Sequence, residues 1–102
     1  MEVYTDYEGG SLVFSLIGEL DEHSAQFVRR QLDTAIVQYD NYDSVVFDLS
    51  RLSFMDSTGI GVIIGRYKLV KRDNKPVYVR KPTATVDKIF KMSGLYEIIT
   101  KI

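Results

Sequence analysis

The sequence has no cysteine and a single histidine, His23, among its 102 residues. Disulfides and thiol chemistry are excluded, the usual structural zinc ligands are missing, and no His-rich metal site can be assembled. No metal or cofactor is expected. Long apolar runs are missing too: the longest, Gly59 to Gly65, stops at Arg66 and is far too short to span a bilayer. The opening residues Met1-Glu2-Val3-Tyr4-Thr5-Asp6 lack the basic start and apolar core of a secretory signal. A cytoplasmic location without membrane contact is therefore expected. No internal repeat, low-complexity segment or linker divides the chain, and 45% hydrophobic with 26% charged residues suits a soluble globular protein. One domain over residues 1–102, with one core, is predicted.

Net charge is only −1, but its two signs are segregated along the chain. Residues 1–56 hold 11 acidic and 3 basic side chains, and residues 57–102 hold 3 acidic and 10 basic. A basic half raises the question of nucleic acid. Lys68, Lys71, Arg72, Lys75, Arg80, Lys81, Lys88 and Lys91 are, however, spread over two predicted helices and a strand rather than along one groove-reading element. An equally strong acidic half would repel a polyanion, so no nucleic-acid partner is expected.

Val3 to Glu8 and Ser11 to Ile17 read as strands joined by Gly9-Gly10, a two-residue hairpin signal. After the turn Gly18-Glu19-Leu20-Asp21, Ser24 is placed to cap a helix carrying Val28, Leu32, Ala35, Ile36 and Tyr39 at helical spacing. Asp40-Asn41-Tyr42-Asp43 ends that helix, and Val45 to Leu49 has the continuous apolar character of a central strand. A second helix is predicted from Ser57 to Arg72, with Ile60, Ile63, Ile64 and Tyr67 inward. Val77 to Val79 reads as a strand, Pro82 as the opening of a helix that Gly94 ends, and Glu97 to Ile102 as a last short strand. The expected architecture is a mixed α/β sheet of about five strands with helices packed against it, in the order β-β-α-β-α-β-α-β.

The strand-to-helix junction Leu52-Ser53-Phe54-Met55-Asp56-Ser57-Thr58-Gly59-Ile60-Gly61 carries the chemistry. Ser57 sits at a helix start, where unpaired backbone N–H groups and the helix dipole can receive an added phosphate, so the new charge would act on a partner rather than on the fold. Asp56-Ser57-Thr58 also reads as a simple cap, since all three residue types favour helix starts. A hydrolase would need His23 as base for Ser57, yet the junction lacks the Gly-x-Ser-x-Gly elbow. Gly59, Gly61 and Gly65 form neither a dinucleotide fingerprint nor a Walker loop, because Arg66-Tyr67 stands where Lys-Ser or Lys-Thr is required. Three glycines in one helix nonetheless imply close approach of backbone to something, the sheet or a partner.

Gly18-Glu19-Leu20-Asp21, followed by Asp48-Leu49-Ser50-Arg51-Leu52-Ser53-Phe54-Met55-Asp56-Ser57-Thr58-Gly59-Ile60-Gly61-Val62, resembles the STAS domain of bacterial anti-sigma factor antagonists. The continuation Ile63 to Lys68 and the stretch Phe90-Lys91-Met92-Ser93-Gly94-Leu95 are similar to the sporulation branch, which acts in the forespore sigma-factor system of endospore formers. The resemblance covers nearly the whole chain. It implies a STAS fold and a non-enzymatic regulator of transcription by partner switching. Ser57 would be phosphorylated by an anti-sigma factor serine kinase holding ATP or ADP, and dephosphorylated by a PP2C-type phosphatase. Asp21, Asp56, Ser57, Thr58, Gly59 and Gly61 would form the partner-docking surface, and the unphosphorylated form would free a sigma factor. Other readings are a STAS domain of a general stress or sensory circuit, and a nucleotide-binding domain. A monomer is expected, although the family's usual C-terminal helix after the last strand has no counterpart here, so either the sequence is shortened or an apolar face is less covered.

Overall fold

The computed structural model describes residues 1–39 and 41–102. Asp40, assigned above to the helix-ending turn, lies outside the described residues. Strands β1 (Glu2–Glu8) and β2 (Ser11–Leu20) form the expected antiparallel hairpin. Gly9 and Gly10 carry it at φ values of 55° and 90°, the positive pair that a tight two-residue connection requires. Helix α1 (Ala25–Gln38), β3 (Ser44–Asp48), β4 (Leu52–Met55), α2 (Ser57–Arg72), β5 (Val77–Arg80), α3 (Ala84–Ser93), a short 3-10 turn (Leu95–Glu97) and β6 (Thr100–Lys101) follow.

The sheet runs β1-β2-β3-β5-β6, with β4 paired to the far end of β2. Only β1 is antiparallel to its neighbour; β2 with β3, β3 with β5, β5 with β6 and β2 with β4 are all parallel. The mixed α/β architecture thus stands, with six strands rather than five. The added strand, β4, has a burial pattern with both ends in and the two middle residues out, so it offers no period-2 signal. It follows β3 after a tight turn in which the Asp48 carboxylate accepts the Ser50 amide at 3.1 Å and the Ser50 hydroxyl at 2.7 Å.

Leu12, Phe14 and Leu16 of β2 alternate onto one sheet face and are fully buried with Phe47 of β3 and Val79 of β5. Val28 and Leu32 of α1, Val62, Ile63 and Val70 of α2, and Val86 and Phe90 of α3 close over them as one contiguous core. Ile60, Ile64 and Tyr67, predicted inward, pack at its margin. Tyr39 is the C-terminal residue of the α1 cap and stays 42% exposed.

Three predicted helix details change. Ser24 does not cap α1 with its side chain. Its hydroxyl accepts the Asp21 amide at 3.0 Å and donates to the Glu19 carbonyl at 2.8 Å. Asp21 reaches the loop's free amides instead, accepting from His23 and Ser24. At α3 the cap is Thr83, one residue beyond Pro82, and it accepts from Val86 at 3.3 Å. The segment 97–102 holds only a two-residue strand, because Leu95 and Ile99, four apart, are both buried and the chain turns once before β6. No helix among the described residues is long and apolar enough to cross a membrane.

Candidate functional site

The end of β2 and the start of α2 meet where β4 pairs with β2, Leu20 standing opposite Met55. Met55 and Leu20 are buried and anchor the junction. The chain then leaves the sheet, and Asp56, extended at φ −101° and ψ −171°, is the N-cap of α2. Its Oδ1 accepts the Gly59 amide at 2.9 Å and its carbonyl accepts the Ile60 amide at 2.9 Å. The capping function weighed for Ser57 therefore falls to Asp56, whose longer side chain reaches back over the first turn.

Ser57 is left as the first helical residue, exposed, and its hydroxyl makes no hydrogen bond to His23 or to any other group among the described residues. The amides of Ser57 and Thr58 likewise have no acceptor among the described residues. An exposed hydroxyl beside free amides at the positive end of a four-turn helix can receive a phosphoryl group without loss of internal bonding. His23 is largely exposed, with Glu22 Oε1 3.8 Å from its Nε2. A serine–histidine pair for nucleophilic catalysis is not assembled.

The glycines divide by role. A Cβ on Gly59 would lie 2.2 Å from the Leu20 carbonyl oxygen, so Gly59 exists to let α2 seat against β2. That is a packing role, and the residue is buried. Gly61 and Gly65 face open space, with nothing within 4 Å of an added Cβ. Gly61 is exposed one helical turn beyond Ser57.

Asp21 lies across this junction on the β2–α1 loop. The Ser24 and His23 amides it accepts hold its carboxyl below the usual carboxylate range, so it is ionised at neutral pH. The Glu22 amide donates to Asp56 Oδ2 at 3.2 Å, drawing the Asp21 loop and the Ser57 helix start together. Sequence reasoning placed Asp21 and Asp56 at one surface by resemblance but had no access to this bond, which links residues 34 apart. It also passed over two aromatics. Phe27, 46% exposed, lines an open pocket of about 550 Å³ with Met1, Glu19, Asp21, His23 and Ser24. Phe54, 43% exposed, pairs with Glu19 across the β2–β4 contact. An aromatic at an exposed strand position immediately before a helix start is the signal that could have marked Phe54.

A parallel-sheet scaffold that presents a free serine at a helix start beside a carboxylate-bearing loop defines the class. Residues 2–102 match the STAS domain family, and the chain belongs to it. An anti-sigma F factor antagonist of Paenibacillus polymyxa is 38% identical over 99 residues, covering 97% of this chain and 84% of that protein. Another, from Lysinibacillus sphaericus, is 34% identical over 85 residues, covering 83% and 72%. The solved structure of the Bacillus cell fate determinant SpoIIAA in its phosphorylated form superposes with a TM-score of 0.73 at 29% identity, covering 99% of this chain and 91% of that one.

Proposed function

We propose that this chain is an anti-sigma factor antagonist of the sporulation type, switched by phosphorylation of Ser57. In its unphosphorylated form it docks on an anti-sigma factor kinase that holds ATP or ADP, and so frees a sigma factor for transcription. The kinase transfers a phosphoryl group to the Ser57 hydroxyl and ends that association; a PP2C-type phosphatase restores it. Asp21, Asp56, Ser57, Thr58, Gly59 and Gly61 build the docking surface, some by contact and Gly59 by seating the helix. The observation that carries the reading is the exposed Ser57 hydroxyl, free of any capping duty because Asp56 performs it. The antagonist names of two relatives more than 30% identical give the class of partner.

Phosphate adds about −1.5 to −2 charge at neutral pH. The helix start accommodates that charge, but a closely fitted partner surface next to Asp56 and Asp21 does not, since burying unpaired like charges costs far more than solvating them.

The test is incubation of the chain with its own anti-sigma factor and ATP, followed by phosphosite mapping by mass spectrometry. A single phosphate on Ser57 is expected, and Ser57→Ala should abolish it. Because Asp56 caps the helix, that substitution should cost no more than about 0.5 kcal/mol in urea unfolding. Label persisting on Thr58 or elsewhere in a folded Ser57→Ala protein would refute the assignment.

A further inference from the structure

We propose that Asp56 is a positioning residue: one carboxylate bridges two recognition segments, fixing the Asp21 loop against the Ser57 helix start, and it acts through this geometry rather than by touching the partner. The proposal rests on the reading of Ser57 as the phosphoacceptor and specifies how that surface is held.

Both oxygens of Asp56 are engaged within the chain. Oδ1 takes the Gly59 amide of α2 at 2.9 Å, and Oδ2 takes the Glu22 amide of the β2–α1 loop at 3.2 Å. An N-cap needs only the first of these bonds. The second adds nothing to α2 itself; it reaches a different segment. The main chain makes a parallel connection, the Asp56 amide donating to the Leu20 carbonyl at 3.3 Å, and Gly59 packs directly against that same carbonyl. Asp21 therefore lies between two tethers to the α2 start, one at Leu20 and one at Glu22. Its Oδ1 closes its own loop on His23 and Ser24, while its Oδ2 has no partner among the described residues and is left to face outward chemistry.

A partner that reads Asp21 and Ser57 together reads residues from two segments, and its affinity depends on how little ordering is left to do on binding. Removing the Glu22 bond leaves the helix capped and the core untouched, but frees the loop that carries Asp21. A residue that contacts the partner directly would behave differently, because its loss would leave the loop in place.

Asp56→Ser separates the two roles. Serine is a first-rank N-cap and preserves the bond to Gly59, but its single short oxygen does not extend to Glu22 as well. Asp56→Asn is the second variant: its amide oxygen caps, and its NH₂ group meets the Glu22 N–H donor to donor. Two measurements are made on the full chain. Backbone ¹⁵N order parameters at Glu22 and His23 should fall from the rigid range, about 0.85, toward 0.6 or below in both variants. In phosphorylation by its own anti-sigma factor kinase, KM should rise roughly tenfold, the loss of one charge-assisted hydrogen bond, with kcat within about twofold of wild type. Unchanged order parameters at Glu22 and His23 in folded variants would overturn the bridge. A raised KM with an unchanged loop would make Asp56 a direct contact, and a mobile loop with unchanged KM would leave the bridge without function; either outcome overturns the proposal. Absence of Ser57 phosphorylation in the wild type would sink the antagonist reading instead, and the order parameters would still decide the bridge.

Discussion

Gly59 and Gly61 stand two residues apart on α2, about 200° of helix rotation, and the substitution of each by alanine has opposite expected signs. At Gly59 the added methyl meets the Leu20 carbonyl at 2.2 Å, a contact that backbone on both sides resists relieving. Gly59→Ala should therefore destabilise by about 2 kcal/mol or more, the range of overpacked sites. At Gly61 the methyl enters open space, and the helix propensity gain of about 0.5 to 1 kcal/mol should appear as added stability. Urea midpoints of the two variants check both signs. Binding supplies the second half of the Gly61 test: a stabilised Gly61→Ala protein that binds the anti-sigma factor less well assigns the open face to the partner, and one that binds normally removes Gly61 from the docking surface. The sequence carried both glycines as one cluster. Only the close approach of β2, a neighbour in space rather than in the chain, divides them.

At the scale of elements, α3, the 3-10 turn and β6 are fastened by one carboxylate. Asp87 accepts from the Tyr96 hydroxyl in a short hydrogen bond, and from Lys101 and Lys91 at 3.0 Å each. The Tyr96 ring packs against Phe90 with centroids 5.2 Å apart, so the polar fastening sits directly over the core. Bonding to Tyr96, Lys101 and Lys91 holds the Asp87 carboxyl well below the usual carboxylate range, and burial together with Asp87 pushes the Tyr96 phenol well above its own. A lowered carboxylate stabilises the fold at every pH above its unfolded value, about 3.9, and that contribution is lost as pH falls toward the folded one. A raised phenol contributes below its unfolded value, about 10, and loses that contribution as the unfolded chain ionises above it. The stability gap between wild type and Asp87→Asn should accordingly be constant from neutral pH down to about 4 and close below it. The gap to Tyr96→Phe should narrow above about pH 10, and denaturant midpoints across pH read both. Elements with a strong local signal were legible in the sequence: the Gly9-Gly10 hairpin, α2 from Ser57 to Arg72, and the stop at Gly94, which sits at φ 79°. Those that depend on partners were not. Strand β4 is defined by pairing with β2, and β6 by two residues beside β5. The cap of α1 passed from Ser24 to Asp21 because the loop's own fold decides which oxygen meets which amide.

Across the whole molecule, the acidic half of the chain supplies β1, β2 and the Asp21 loop, and the basic half supplies most of α2, α3 and their connections. The location of Ser57 was readable because a strand-to-helix junction is a local event. The freedom of its hydroxyl and the tie between Asp56 and Glu22 belong to the assembled molecule. The same division separates long-range from short-range electrostatics in binding. Summed charge governs the rate of encounter and is screened by salt over about 10 Å at 0.1 M. The desolvated fit around Ser57 governs how long the complex lasts. Ser57→Asp adds one negative charge to a surface that already bears Asp21 and Asp56, so attraction to a basic partner is kept or slightly strengthened while the fit is spoiled. Measured by surface plasmon resonance against the anti-sigma factor, the variant should associate within about threefold of the wild-type rate and dissociate at least roughly tenfold faster. Raising the salt should slow association of both proteins alike and leave the ratio of their dissociation rates intact. A Ser57→Asp protein that is folded but weakened mainly in its association rate would place the switch in the overall field rather than in the contact at the helix start.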